Sequence, residues 1–380
     1  MNISELREQI DDTDRQMVEL YCRRMDIAEK IGRFKRENGL PVLDSERERN
    51  LLNRVAELAG EKNEQGIRAM YQLLMDHSRL RQQTEGRPES RIGALIRESA
   101  ASTPELFPEK AMAACQGVEG AYSQLACEKM IRYPSIMYCR TFENVFSAIE
   151  SGLCRYGILP IENSLAGSVN SVYDLLISHH CYIVRSARIK IDHTLLALPG
   201  TDPGQIREIW SHEQAIQQCS AFLSEHKEWH VNICENTAVA ARMVAESGRK
   251  DVAAISSGHC AALYGLECLS TEIQNNSNNH TRFICISKTP EIYPGANHTS
   301  LMLVLPNRPG SLYEVLSRFN AQGINLIKLE SRPLPGRDFE FMFYFELEGS
   351  VGSPSFKKLI EELDVTLSQF TYLGSYSESV

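Results

Sequence analysis

Arg24 and Lys35 stand eleven residues apart, about three helical turns, so a helix through both carries them on one face. Asp44, Arg47 and Glu48 follow at i, i+3 and i+4, a spacing that gathers side chains on one helical face. Ser78 and Gln82 repeat it at i, i+4. Cations and an amide with one or two acids suit a compact dianion that carries a hydroxyl. The set holds no nucleophile, metal-ligand spacing or phosphate loop. It suits a reaction that needs shape and charge rather than a covalent intermediate. Arg7 lies 28 residues before Lys35, about 42 Å along a straight helix. That is too far to share one small-molecule site, so a functional Arg7 serves a site on another subunit.

A second group of polar residues recurs where apolar runs end: GVEGAYSQLA (117–126), PIENSLAGSV (160–169), SHEQAIQQC (211–219) and NNHTRFICIS (278–287). Strand ends beside a cleft are where open sheets bind ligands. Glycine at 117, 120 and 167 allows close backbone approach, and helices that start after these loops offer N–H groups to anions. The glycines do not form GxGxxG, so a dinucleotide is not expected. The pair His179–His180 lacks metal-ligand spacing around it. Neither a metal nor any other cofactor is expected.

The elements that must position these groups fall into three units. Residues 4–36 have helical apolar spacing (Leu6, Ile10, Met17, Leu20, Ile27, Ile31), with Asn2 or Ser4 as cap and Gly39–Pro41 as stop. Helices follow over 44–59 and 65–83. Three helices of such unequal length close poorly on themselves, so the first is expected to need a partner chain. Residues 84–110 are polar and proline-bearing, a linker with a short helix at 91–98. From Ala111 short apolar runs alternate with helical stretches, an α/β pattern with a largely parallel sheet. Strands near 183–198 cross into a second lobe, leaving a cleft between lobes. From His298 the order is βαββαβ, the ferredoxin-like arrangement.

Composition sets outer limits. At 380 residues the chain fits two to three domains. Hydrophobic residues at 43% and charged residues at 23% suit a soluble globular protein. The net charge of −9 argues against nonspecific nucleic-acid binding. Residues 1–83 hold 15 Lys+Arg against 16 Asp+Glu, so the acidity lies downstream and the first unit keeps its cations. No run of about 20 apolar residues exists and the N-terminus lacks a secretory pattern, so no membrane span is expected. Eleven scattered cysteines without CxxC read as reduced core thiols of a cytoplasmic protein.

LREQID, CRRMDIAEKIGRFK, PVLDSERERNLL and DHSRLRQQ together resemble the all-helical chorismate mutase domain, over nearly all of residues 1–83. The resemblance implies an intertwined dimer and a unimolecular [3,3] rearrangement of chorismate to prephenate. It implies that Arg24 and Arg47 pair with the substrate carboxylates and that Arg7 enters from the partner subunit. Lys35 and Gln82 would hydrogen-bond the ether oxygen. Asp44 and Glu48 would hold the ring hydroxyl and Lys35, with Ser78 adding a contact.

TRF (281–283), PIENS and LYGL (263–266), in order with the other segments, resemble prephenate dehydratase over about 111–288. That reaction expels the ring hydroxyl and CO2 together. Thr281 corresponds to the family's key threonine and would donate a hydrogen bond or relay a proton to the leaving hydroxyl. A threonine is a poor acid, so Glu162, if buried, is the better proton source. Asn163, Ser211 and Gln218 would position substrate, and Arg282 would either face a carboxylate or serve the fold. Val118, Ala121, Ser164 and Glu213 depart from the commoner residues of these loops.

Residues 308–333 resemble the ACT domain attached to such dehydratases. Pro309, Gly310, Ser311 and Leu312, with Glu330, Ser331, Arg332 and Pro333, match the segments that bind phenylalanine at a domain–domain interface. The resemblance implies that the helix N-terminus takes the amino acid's carboxylate, and that binding inhibits the dehydratase.

The expectation is therefore a multidomain homodimer or higher homo-oligomer. It has an all-α N-terminal domain (1–83), a linker (84–110), a two-lobed α/β domain (111–288) and an α+β ferredoxin-like ACT domain (298–375). It acts as both mutase and dehydratase in phenylalanine biosynthesis. The competing readings are a dehydratase whose helical domain only dimerises, and a non-catalytic sensor of aromatic amino acids.

Overall fold

A computed structural model describes residues 2–84, 90–334, 341–367 and 369–379. Parts of the expected linker (85–89) and of the expected C-terminal unit (335–340 and 368) lie outside them.

Four helices open the chain: α1 (Ile3–Glu37), α2 (Ser45–Ala59), α3 (Glu64–Thr84) and α4 (Arg91–Ser102). Asn2 caps α1 in a capping box with Glu5, satisfying donors that the first turn leaves without partners. Asp44 caps α2 by accepting from the Arg47 backbone N–H at 3.0 Å. The buried residues of α1 are Met25, Ala28 and Gly32, all in its second half, where it packs on α3. A Cβ on Gly32 would lie 2.6 Å from Gln82 Cα, so glycine sets how closely these helices approach. The first half of α1 leaves Ile3, Ile10, Met17, Val18 and Leu20 exposed. The expected short helix of the linker is longer, and it is no free tether. Ile96 of α4 is 2% exposed within the core of the C-terminal unit.

The middle region holds β1 (Lys110–Gln116), α5 (Tyr122–Met130), β2 (Tyr133–Cys139), α6 (Phe142–Glu150), β3 (Tyr156–Asn163), β4 (Gly167–Ser168), α7 (Asn170–Ser178) and β5 (Tyr182–Lys190). The second lobe runs β6 (Thr194–Ala197), β7 (Glu208–Ser211), α8 (Glu213–Gln218), α9 (Ser220–Ser224), β8 (His230–Ile233), α10 (Thr237–Ser247), β9 (Val252–Ser256), α11 (His259–Tyr264) and β10 (Glu267–Ser270). The chain then returns to the first sheet as β11 (His280–Ser287). Two lobes form as expected. Their sheets are mixed and not largely parallel, because β11 runs antiparallel to both β3 and β5 and β6 runs antiparallel to β9 and β10. Apolar runs buried on both faces look alike in either direction, so composition does not decide the pairing.

The last unit is β12 (His298–Val304), α12 (Ser311–Ala321), β13 (Asn325–Pro333), β14 (Phe341–Glu348), α13 (Pro354–Thr366), β15 (Gln369–Tyr376) and β16 (Glu378–Ser379). Its antiparallel sheet has the order β13-β14-β12-β15. Alternation along the strands gives it two apolar faces. Leu301, Leu303 and Phe345 pack with Val315 and Phe319 of α12 and Leu359 and Leu363 of α13. Met302, Val304, Met342 and Tyr344 join Phe146 and Tyr173 in the core of the middle region. β16 continues past this unit and pairs with β5 in the neighbouring sheet.

Among the described residues, no helix is long and apolar enough to cross a membrane, and all eleven cysteines are free thiols.

Candidate active sites

The helical unit encloses a cavity of about 330 Å³. Arg24, Lys35, Asp44, Arg47, Glu48, Ser78 and Gln82 all line it, so three helices bring together every expected residue of this set except Arg7. Arg7 lies on the exposed first half of α1. Arg24 donates to the Leu74 carbonyl at 2.8 Å and to Ser78 Oγ, which fixes its guanidinium beside the cavity. Burial pushes its pKa below the ordinary arginine value, while Tyr71 and Tyr21 push it back up. Gln82 Oε1 is buried with no hydrogen-bond partner.

Two contacts differ from expectation. Lys35 Nζ donates to the Val42 carbonyl at 2.7 Å, not to an acid. Glu48 is instead held by Arg79, whose Nη1 lies 2.6 Å from each of its carboxylate oxygens. Arg79 also lines the cavity, and sequence reasoning missed it. It sits between Ser78 and Gln82 in the chain, so spacing alone turned it off their face. Its long side chain reaches α2 from there.

The second cavity, about 580 Å³, lies between the two lobes. Gly117, Asn163 and Gly167 line it from the first lobe with Thr281, and His193, His212, Gln218 and Asn236 face them from the second-lobe side. Asn163 Nδ2 donates to Thr281 Oγ1 at 3.0 Å and to Asn279 Oδ1 at 2.8 Å. Its own Oδ1 accepts from the backbone N–H groups of Leu165 and Ala166. Thr281 Oγ1 therefore acts as an acceptor within the protein, and its hydroxyl hydrogen remains free to donate into the cavity.

Asn279 continues the chain by donating to Gln218 Oε1 at 3.0 Å, and His193 Nε2 meets the same oxygen at 2.8 Å. An oxygen that accepts from both makes Nε2 the donor. His193 Nδ1 is buried with no partner. Burial lowers the His193 pKa, with Gln218 and Asp192 opposing, which favours the neutral ring. His193 and Asn279 were not singled out from sequence. The signal for His193 is its place between the strands that cross from one lobe to the other.

Three expected residues are not at this cavity. The β3–β11 register sets Asn163 opposite Thr281 and Glu162 opposite Arg282. Neighbours along a strand point to opposite faces, so the second pair is turned away. Glu162 is bound by Lys328 of β13 at 2.6 Å, so the expectation that it is the proton source is not supported. Arg282 is engaged by the fold on the side away from the cavity. It is 6% exposed and donates to Glu346 of β14, which is fully buried. Burial would lower its pKa, but the Glu346 carboxylate raises it above the ordinary value. Ser211 is fully buried and donates to the Ile255 carbonyl at 2.6 Å, tying β7 to β9 without lining the cavity.

In the last unit, Gly310 has φ +89°, a left-handed conformation natural to glycine, and starts α12. Ser311 and Leu312 line a cavity of about 130 Å³ with Asn307, Arg308, Phe341 and Phe343. Ser311 Oγ is buried there without a partner. Ser331 and Pro333 pair in register with Phe343 and Phe341, one strand from that cavity. Glu330 and Arg332 alternate to the other face. Glu330 accepts from Ser168 at 2.6 Å and Arg332 binds Asp174 at 2.7 Å. One chain therefore does not bring Gly310–Leu312 and Glu330–Pro333 into a single pocket.

Comparison with known proteins follows the same three units. Family models match for chorismate mutase type II over residues 6–83, prephenate dehydratase over 113–291 and the ACT domain over 299–365. The bifunctional chorismate mutase/prephenate dehydratase of Escherichia coli K12 is 32% identical, covering 99% of this chain and 96% of that protein. The chain belongs to the bifunctional chorismate mutase/prephenate dehydratase family. Among solved structures, a prephenate dehydratase from Arthrobacter aurescens in complex with L-Phe is 27% identical, with a TM-score of 0.64 over 70% of this chain and 89% of that one. A chain described as a quorum quenching acylase is 33% identical, with a TM-score of 0.65 over 70% of this chain and 98% of that one. Each covers 70% of this chain, against 99% for the bifunctional relative.

Proposed function

We propose that the helical cavity rearranges chorismate to prephenate and that the interlobe cavity converts prephenate to phenylpyruvate. The observation that carries the first step is the gathering of Arg24, Lys35, Arg47 and Gln82 around one cavity of small-molecule size. Arg24 and Arg47 hold the two carboxylates and fold the substrate. Lys35 Nζ spends one hydrogen on Val42, leaving others for the ether oxygen as the C–O bond breaks. Gln82 gives a second hydrogen bond to the same oxygen. Fixed donors aimed at developing charge are what such a rearrangement needs. Asp44 and Glu48 accept from the ring hydroxyl.

In the second step, Thr281 donates its free hydroxyl hydrogen to the departing ring hydroxyl while the ring carboxylate leaves as CO2. Asn163 fixes Thr281 by donating to its oxygen. Gln218 and His193 position the substrate from the opposite side. A threonine alone does not supply a full proton, so the donor beyond it is solvent entering the open cleft.

The protein works as a homodimer or a higher homo-oligomer. Support comes from the exposed apolar residues on the first half of α1 and from the distance of Arg7 from its own cavity. Phenylalanine binds where α12 begins, beside the unpartnered Ser311 hydroxyl, and inhibits the dehydratase. The eleven free thiols fit a cytoplasmic setting. The deciding experiment supplies purified protein with chorismate alone and follows phenylpyruvate. Its appearance supports both activities. Chorismate that stays unconsumed while added prephenate is converted leaves only a dehydratase.

A further inference from the structure

The Arg79 side chain is only 16% exposed, and it sits between two carboxylates, those of Glu48 and Asp76. It occupies a wall shared by two hollows. One is the mutase cavity, and the other is a cleft of about 600 Å³ between the mutase helices and α12 of the ACT domain. We infer that Arg79 is a positioning residue of the mutase, holding Glu48 in the orientation that accepts the ring hydroxyl and leaving Lys35 free for the ether oxygen. This inference rests on the mutase reading of the cavity.

The geometry gives three reasons. Both oxygens of Glu48 lie 2.6 Å from the single nitrogen Arg79 Nη1, so the cation fixes where the carboxylate sits. Lys35 donates one hydrogen to the Val42 carbonyl and does not pair with Glu48, so its other hydrogens stay available. Asp76 holds the far side of the guanidinium, so Arg79 is itself anchored and does not swing into the cavity. A misplacement of about 1 Å in a residue that orients a reacting group can cost on the order of a hundredfold in rate. The bland alternative is an ion pair that only joins α2 to α3.

The test is a double-variant cycle in the full chain, with chorismate consumption as the readout and prephenate conversion as the control for folding. Arg79→Leu is expected to lower mutase kcat/KM about tenfold or more, while dehydratase activity stays within about twofold. Arg79→Lys is expected to recover part of the loss, because one ammonium can replace the nitrogen that meets Glu48 but cannot be anchored by Asp76 at the same time. Glu48→Gln/Arg79→Leu is expected to be no worse than Glu48→Gln alone, since Arg79 acts through Glu48. Losses that multiply in the double variant, or an Arg79→Leu mutase within twofold of the parent, would overturn the inference. If Arg79→Leu fails to fold, Arg79→Lys with and without Glu48→Gln completes the same cycle. Lys35→Ala run in parallel separates the two ideas. If it leaves the mutase intact, the site reading itself is wrong.

Discussion

Lys328 Nζ donates to Glu162 Oε1 across 2.6 Å, joining the edge strand of the ACT sheet to the strand that ends in Asn163. It is one of three contacts from alternate residues of β13. Lys328, Glu330 and Arg332 meet Glu162, Ser168 and Asp174 in turn. Period-two alternation puts all three on one face, and their sequence neighbours Leu329, Ser331 and Pro333 on the other. Ser168 lines the dehydratase cavity, so the middle contact of the row touches the site itself. Glu330 of β13 thus holds a residue of the cavity wall directly.

Lys328→Met is therefore expected to weaken the response to phenylalanine more than the reaction. The concentration for half-inhibition of the dehydratase rises about fivefold or more, the low end of allosteric coupling. Uninhibited kcat stays within about threefold. Dose–response curves on prephenate measure both, and an unchanged midpoint would sink the coupling.

Glu162→Gln tests the same pairing from the other strand. A general acid contributes about a hundredfold or more. Because Glu162 is turned away from the cavity, kcat on prephenate is expected to fall by less than about tenfold. A loss beyond a hundredfold would return Glu162 to the role expected from sequence.

Thr281→Ala is expected to lower dehydratase kcat by about a hundredfold or more, while chorismate is still consumed. Thr281→Ser keeps the hydroxyl and recovers much of the rate. Lys35→Ala does the reverse, abolishing chorismate consumption while added prephenate is still converted. Loss of both activities from either change in a folded protein would contradict two separate sites.

Arg7 gives a subunit test. Arg7→Ala and Lys35→Ala homodimers are each expected to lack mutase activity. Mixed after unfolding and refolding, half the dimers are hybrids, and each hybrid has one intact site. About a quarter of parental activity should return. No recovery would mean that Arg7 serves its own chain or none.

His193 predicts a pH effect on stability. Its folded-state pKa lies below the ordinary value, so the unfolded chain takes up a proton first as pH falls through about 6.5. Stability from this group is present above that pH and is lost as pH falls toward the folded value. The melting temperature should drop more between pH 7.5 and 5.5 in the parent than in His193→Gln. Equal drops would show that His193 is not the titrating group.

Spacing and motif in the sequence were enough to determine the mutase face, because a helix converts sequence distance into direction at a fixed pitch. Arg24, Lys35, Asp44, Arg47, Glu48, Ser78 and Gln82 could be grouped before any contact was known. The three units and their order were legible for the same reason, through a change of apolar period. Tertiary structure alone decided what Glu162 and Arg282 face. A strand fixes only that neighbours alternate, and which side holds substrate depends on what packs behind the sheet. Here the ACT domain took that side, and Glu346 and Lys328 claimed both charges. Arg79 was hidden for a related reason. Its position on α3 turned it from the site, and only the nearness of α2 gave its side chain Glu48 to hold.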